Sequence, residues 1–282
     1  MKYAIISDIH GNYTAFVECL KKIEKLNIDE IIFCGDYITD FPEPHEVLKI
    51  IKECARNFKC HIIRGNREEY ICNFYKDKNL ENINVRKRSN VMCTYNLLTK
   101  EDLEWLENLP KTLEIDIGNE NKIYVSHKFN TENIKNCKYK IFGHEHKQFN
   151  FRKEGITYIN PGSIGMSIDY GVIGAQFSTL EITNEMEKIE EYKINYDINL
   201  VIDKLKKSTL YKDKIKWGKV LESQLKTGVD IARKCKEEYI KMLKENEIIN
   251  EESIELWNKA IEKISEKYVG NIMRENNIKA HY

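Results

Sequence analysis

Through the first two-thirds of the chain, short apolar runs alternate with amphipathic stretches. Residues 3–6 (YAII) read as a buried strand, and 14–26 follow with Phe16, Leu20, Ile23 and Leu26 at helical intervals. A second apolar run, 30–34 (EIIFC), precedes a helical stretch over 45–54 carrying Val47, Leu48, Ile50 and Ile51; a third run lies at 60–63 (CHII). Strand, helix, strand, helix, strand predicts a parallel sheet with crossover helices. From 68 to 109 the pattern is mostly helical, with Leu103, Trp105, Leu106 and Leu109 carried by 101–109. Strands return at 122–126, 140–142, 157–159, 175–182 and 188–194. The prediction is an α/β fold of the four-layer α+β type. Two mixed sheets form a β-sandwich flanked by helices.

The pattern changes near Tyr196, beyond which no strand-like run occurs. Leu221, Leu225, Val229, Ala232 and Tyr239 recur at helical spacing, as do Ile254, Trp257, Ile261, Ile264 and Tyr268. This divides the chain into a domain over 1–195 and a C-terminal helical extension of two to four helices over 196–282. The expected role of the extension is packing or a homodimer contact, with substrate gating or regulation as the alternative.

Composition narrows the function classes. Of 282 residues, 41% are hydrophobic, enough for a sizeable core. Lys+Arg and Asp+Glu both number 45, so net charge gives no reason to expect nucleic acid or an anionic membrane as partner. The basic run Arg86-Lys87-Arg88 is too short to be a nucleic-acid footprint. No stretch has the roughly 20 apolar residues of a membrane span. The N-terminal apolar run is interrupted by Asp8 and His10 and predicts no signal peptide. Eight scattered cysteines without a CxxC pair predict free thiols and a cytoplasmic protein.

The chemistry lies at the strand ends. Asp8 and His10 follow the first predicted strand, Gly35-Asp36 the second and Gly65-Asn66 the third. His127 ends the strand at 122–126, and His144 and His146 follow that at 140–142 as G-H-E-H. Each piece alone would pass for turn chemistry or a satisfied histidine. Together they put carboxylate, imidazole and amide donors at the carboxyl ends of five strands, the edge where sites form in α/β sheets. Such donors suit Mn, Fe, Zn or Ni, and the absence of thiolate excludes a structural zinc site. Seven ligands exceed the needs of one ion. Two ions about 3.5–4 Å apart sharing a carboxylate would use them all.

The ordered set Asp8-Ile9-His10, Gly35-Asp36, Gly65-Asn66-Arg67-Glu68, His127 and Gly143-His144-Glu145-His146 resembles the calcineurin-like metallophosphoesterase superfamily. Asn160-Pro161-Gly162-Ser163 is similar to a turn in its small bacterial phosphodiesterases. The resemblance covers roughly residues 1–195. It implies a helix-flanked β-sandwich and two divalent ions, manganese first, with Fe, Ni or Zn as alternatives. One ion would take Asp8, His10, Asp36 and His146; the other would take Asp36, Asn66, His127 and His144. Asp36 would bridge.

The implied reaction is hydrolysis of a small phosphate ester. The ions would neutralise the phosphoryl oxygens and lower the pKa of a bound water, supplying hydroxide for in-line attack. A diester is the favoured substrate. A monoester, a phosphoprotein, or a non-catalytic metal-binding scaffold are the alternatives. Asp36, Asn66 and Arg67 are the expected catalytic residues. Arg67 stands where many relatives have His, and a guanidinium with a pKa above about 12 cannot act as a general acid near neutrality. It can act electrostatically on a phosphate oxygen or turn away to pair with Glu68 or Glu69. Asn12 and Lys128 are further substrate-contact candidates, Lys128 standing where relatives often have Gly.

Overall fold

A computed structural model describes residues 1–79, 83, 85–169, 172–183, 185–248 and 253–279. The chain opens as β1 (Lys2–Ile6), α1 (Tyr13–Ile23), β2 (Glu30–Phe33), α2 (Pro44–Asn57) and β3 (Lys59–Ile62). Three helices follow: α3 (Asn66–Asp77), α4 (Val85–Tyr95) and α5 (Lys100–Asn108). A strand-rich segment comprises β4 (Thr112–Asp116), β5 (Lys122–Ser126), β6 (Cys137–Phe142), β7 (Gln148–Lys153), β8 (Ile156–Pro161), β9 (Ala175–Ile182) and β10 (Glu187–Ile194). It leads into α6 (Ile198–Lys207), α7 (Thr209–Asp213), α8 (Ile215–Thr227), α9 (Ile231–Glu245) and α10 (Ile254–Lys279).

The strands form two mixed five-stranded sheets, ordered β10-β9-β1-β2-β3 and β4-β5-β6-β8-β7. β1, β2 and β3 run parallel, as do β5, β6 and β8; β9, β10, β4 and β7 pair antiparallel with their neighbours. Alternation along β1 shows why two layers meet here. Tyr3 and Ile5 point toward the second sheet, into a core with Ile32, Ile123, Val125, Tyr139, Ile141 and Ile159. Ala4 and Ile6 point the other way, onto Phe16 and Cys19 of α1 and Val47, Leu48 and Ile51 of α2.

β4 and β7 fall where no strand was expected. Both are edge strands of the second sheet, and their mostly exposed sequences lack the continuous apolar run of a central strand. The C-terminal region contains five helical segments among the described residues, one more than expected. The run from Leu221 to Tyr239 is two helices, because α8 ends at Gly228 in the left-handed conformation (φ 64°).

The C-terminal helices pack against the preceding residues. Val201, Ile202 and Leu205 of α6, Leu210 of α7 and Leu221 and Leu225 of α8 share one buried cluster with Phe41 and Met166. Its other face, through Val220, packs on α9 and α10 via Cys235, Tyr239, Trp257 and Ile261. All eight cysteines are free. Among the described residues no helix is long and apolar enough to cross a membrane. The side chains of Arg86 and Lys87 lie outside the described residues.

Candidate metal centre

The parallel strands of both sheets deliver their carboxyl ends to one edge. Asp8 and His10 leave β1, Asp36 leaves β2, and Asn66 opens α3 after β3. His127 leaves β5, and His144 and His146 leave β6. The two sheets touch where Gly143 meets the β1 loop. A Cβ at Gly143 would stand 1.9 Å from Ser7 Oγ and 2.7 Å from Asp8 Oδ2, so only glycine permits this approach. Five of the seven residues—Asp8, His10, Asp36, His144 and His146—have positive φ, between 53° and 70°. Left-handed backbone in non-glycine residues is costly and collects where the surrounding structure over-determines it.

The donors fall into two groups, Asp8 with His10 and His146, and Asp36 with His127 and His144. Each residue offers an atom within 4.8 Å of the others in its group. In the first group His10 Nε2 lies 3.0 Å from His146 Nε2 and 3.8 Å from Asp8 Oδ1, and His146 Nε2 lies 3.3 Å from Asp8 Oδ1. In the second, His127 Nε2 is 3.3 Å from Asp36 Oδ2 and 3.3 Å from His144 Nδ1. Asp36 Oδ2 also lies 4.0 Å from His10 Nε2, so its carboxylate stands between the groups.

Hydrogen bonds behind the imidazoles fix their orientation. His10 Nδ1 faces Asp40 Oδ2 at 3.1 Å, His127 Nδ1 donates to the Cys34 carbonyl at 2.8 Å, and His146 Nδ1 donates to the Met166 carbonyl at 2.9 Å. With an acceptor at each Nδ1, the neutral ring keeps its lone pair on Nε2, directed into the centre. Two buried oxygens there, Asp8 Oδ1 and Asn66 Oδ1, have no hydrogen-bond partner. Orphaned acceptors at this depth are costly unless a cation satisfies them. The oxygen and nitrogen donors present therefore fit two divalent ions.

The electrostatics of the metal-free groups agree. Burial opposes ionisation of Asp8 and Asp36, yet both carboxyls are held well below the usual range. His146 and His10 act on Asp8, and His127 acts on Asp36. Burial likewise opposes charge on His10 and His127. The nearby carboxylates of Asp40 and Asp8 push His10 up to about 9, and Asp36 pushes His127 up to about 10. His144 is pushed down to about 4 by burial and by the neighbouring His127 charge.

Glu68 builds the floor. Its carboxylate accepts from the backbone N–H groups of Gly65 (2.7 Å), Asp36 (2.8 Å) and Tyr37 (2.9 Å), tying the β2 and β3 loops together. Glu68 is therefore not a partner for Arg67, and Glu69 pairs with Lys111. Arg67 lies toward the centre instead. Its Nε is 3.7 Å from Asp36 Oδ2, its Nη2 is 3.4 Å from Asp40 Oδ2, and 21% of the side chain stays exposed.

Asn12, a substrate-contact candidate in the sequence, is buried and occupied by backbone partners. Asn12 is 1% exposed, caps α1 by accepting from the Ala15 amide, and donates to the Gly165 carbonyl. The N-terminus of a helix needs such an acceptor, and this side chain is spent on it. Lys128 is exposed and belongs to neither donor group. Two residues that sequence patterns did not single out, Asp40 and Asn90, stand behind His10. Asn90 of α4 donates to Asp40 Oδ1, a contact no spacing signals. The extension reaches the centre as well, since Gln224 of α8 donates to Met166 Sδ at 3.1 Å behind His146.

A two-sheet sandwich with two His/Asp groups at one edge and a carboxylate between them defines a metallophosphoesterase. The chain belongs to the calcineurin-like phosphoesterase superfamily: residues 1–185 match that domain. The family is one of phosphoesterases, hydrolases acting on phosphoric ester bonds. An uncharacterized protein of Methanocaldococcus jannaschii is 27% identical over 242 residues, 73% of this chain and 93% of its own. Two solved structures share the fold. A hypothetical protein from Pyrococcus horikoshii OT3 is 22% identical with a TM-score of 0.62, covering 80% of this chain and 96% of its own. A metallophosphoesterase from Sphaerobacter thermophilus is 21% identical with a TM-score of 0.62, covering 81% and 99%.

Proposed function

We propose that this chain hydrolyses small phosphate esters, diesters ahead of monoesters, at a dinuclear centre bridged by Asp36. The observation that supports it most is the three histidines held at Nδ1 with Nε2 converging, beside the orphaned oxygens of Asp8 and Asn66. In this reading Asp8, His10, Asp36 and His146 hold one ion, and Asp36, Asn66, His127 and His144 hold the other. The oxygen and nitrogen donors suit manganese, iron, nickel and zinc alike, and the family resemblance puts manganese first. Two such ions would neutralise charge on the phosphoryl oxygens and lower the pKa of a bound water.

The chain's own groups supply the rest. Asp36, between the two donor groups, sets their separation. His144, with its pKa depressed to about 4, is neutral at physiological pH and keeps a lone pair free. Arg67 presents a permanent charge to a phosphoryl oxygen, since Asp40 and Asp36 raise its pKa further despite burial. It cannot give up a proton to the leaving oxygen. That favours esters whose leaving group departs unaided.

The test is hydrolysis of bis-p-nitrophenyl phosphate beside p-nitrophenyl phosphate, after stripping metal and restoring Mn, Ni, Zn or Mg. Metal-dependent diester cleavage that vanishes in Asp36→Asn is expected. Cleavage of the monoester alone would reverse the substrate class. Two bound ions by elemental analysis with no turnover would make the protein a metal-binding scaffold.

A further inference from the structure

We propose that Asp40 is a positioning residue that fixes the His10 imidazole and the Arg67 guanidinium relative to one another. Asp40 lies on the loop between β2 and α2, four residues after Asp36. It is 2% exposed, and both carboxylate oxygens are in use. Oδ2 is 3.1 Å from His10 Nδ1, 3.1 Å from the Thr39 hydroxyl and 3.4 Å from Arg67 Nη2. Oδ1 accepts from Asn90. One side chain thus joins the β1 loop, the β2 loop, α3 and α4.

The chemistry of a carboxylate matters at this point. An ionised carboxylate only accepts, so His10 must present Nδ1–H to it and keep Nε2 for the centre. A carboxamide has one acceptor oxygen where this position serves four donors. The same negative charge holds one nitrogen of the Arg67 fork, and the exposed remainder of that side chain is what a phosphoryl oxygen would meet. This second half rests on the proposed function; the first half does not.

The backbone points the same way. Thr39 and Asp40 have φ of 78° and 67°, two consecutive non-glycine residues in the left-handed region, one of them β-branched. The loop is held there from several sides. The Phe41 amide donates to the His10 carbonyl at 3.0 Å, the Gly11 amide donates to the Tyr37 carbonyl at 2.8 Å, and Phe41 is buried among Val201, Leu205 and Leu221 of the extension. Strain kept in a loop that aims one carboxylate at two site residues is the arrangement expected of a positioning device.

Manganese titration of the metal-stripped full-length protein tests the first half. Asp40→Asn should bind one ion as the wild type does and the other about 10- to 100-fold more weakly. Asp40→Asn placed on His10→Ala should weaken manganese no further than His10→Ala alone. A general structural role would instead add its own loss. Wild-type affinity at both sites in Asp40→Asn, or multiplying losses in the pair, overturns the proposal. If Asp40→Asn fails to fold, nitrogen NMR of the zinc-loaded wild type decides: Nδ1–H with Nε2 coordinated is expected for His10, and coordination through Nδ1 refutes it.

Binding of inorganic phosphate to the manganese-loaded protein tests the second half. Arg67→Ala and Asp40→Asn should each weaken it, and the double variant should be no worse than the weaker single one. Additive losses would sever Asp40 from Arg67. If phosphate fails to bind even the wild type, the phosphoesterase reading falls, and the manganese cycle still decides Asp40.

Discussion

Gly65→Ala adds one methyl group where the centre has no space for it. The glycine's φ of −92° and ψ of −171° suit any residue, so the substitution is opposed by space alone. Its Cβ would stand 2.2 Å from Asp36 Oδ1 and 2.5 Å from the Asp36 amide nitrogen. Carbon and oxygen approach to roughly 3.3 Å, so the Asp36 carboxylate or the start of α3 must move by about 1 Å. Either movement disturbs two bonds, Arg67 N to Asp36 Oδ1 at 2.8 Å and Asp36 N to Glu68 Oε2 at 2.8 Å. Overpacking of this kind costs roughly 1–3 kcal/mol. At about 2–4 °C per kcal/mol for a chain of this size, Tm should fall by a few degrees to roughly 10 °C. A bridging carboxylate misplaced by about 1 Å should lower kcat/KM about 10²-fold. The assay is bis-p-nitrophenyl phosphate hydrolysis at saturating manganese, with metal stoichiometry and thermal melts on the same samples. A variant holding two ions, melting within about 2 °C of wild type and turning over within about threefold, would refute the steric argument and the bridging role of Asp36 with it.

Other outcomes follow from the same geometry. Glu68→Gln leaves one acceptor oxygen facing the amides of Gly65, Asp36 and Tyr37. Orphaning one or two of these should destabilise the protein by roughly 2–4 kcal/mol in denaturant titration; unchanged stability would show the amides are satisfied otherwise. In metal-free protein His10 and His127 have pKa values raised to about 9 and about 10. The stability they contribute is fully present below their ordinary value of 6.5 and is lost as pH rises through 9 to 10. Protons compete with metal at Nε2, so apparent manganese affinity should climb over the same range. A melting temperature of the chelated protein that rises with pH would contradict this. Leu205→Ala, in the core shared with Phe41 and Met166, should cost about 2–5 kcal/mol. It should shift one cooperative melt, and two separate transitions would instead mark residues 196–282 as an independent unit.

Much of the candidate site was readable from the chain because its candidate ligands obey a local rule. Each follows a short apolar run, and a parallel sheet exports whatever follows its strands to one edge. That rule singled out Asp8, His10, Asp36, Asn66, His127, His144 and His146 as candidate ligands without tertiary information. The central strands were legible because each carries a short apolar run that the fold buries. β4 and β7 were not, since an edge strand with exposed residues carries no such signature.

Only the folded chain decided what stands behind the ligands. Asp40 is an unremarked loop residue until folding brings it against His10, 30 positions earlier, and Arg67, 27 positions later. Asn12, beside a ligand in sequence, is turned by the start of α1 into a cap. The direction of Arg67, toward Asp36 and Asp40 rather than Glu68, follows from Glu68 being taken by three backbone amides. The composition change at Tyr196 marked where strands stop, yet the core does not stop there, because Leu205 and Leu221 bury their side chains against Phe41 and Met166. Strand-end chemistry is a property of neighbouring residues and survives in the linear chain. Orientation, capping and shared burial depend on contacts between segments far apart in sequence, and these exist only once the chain has folded.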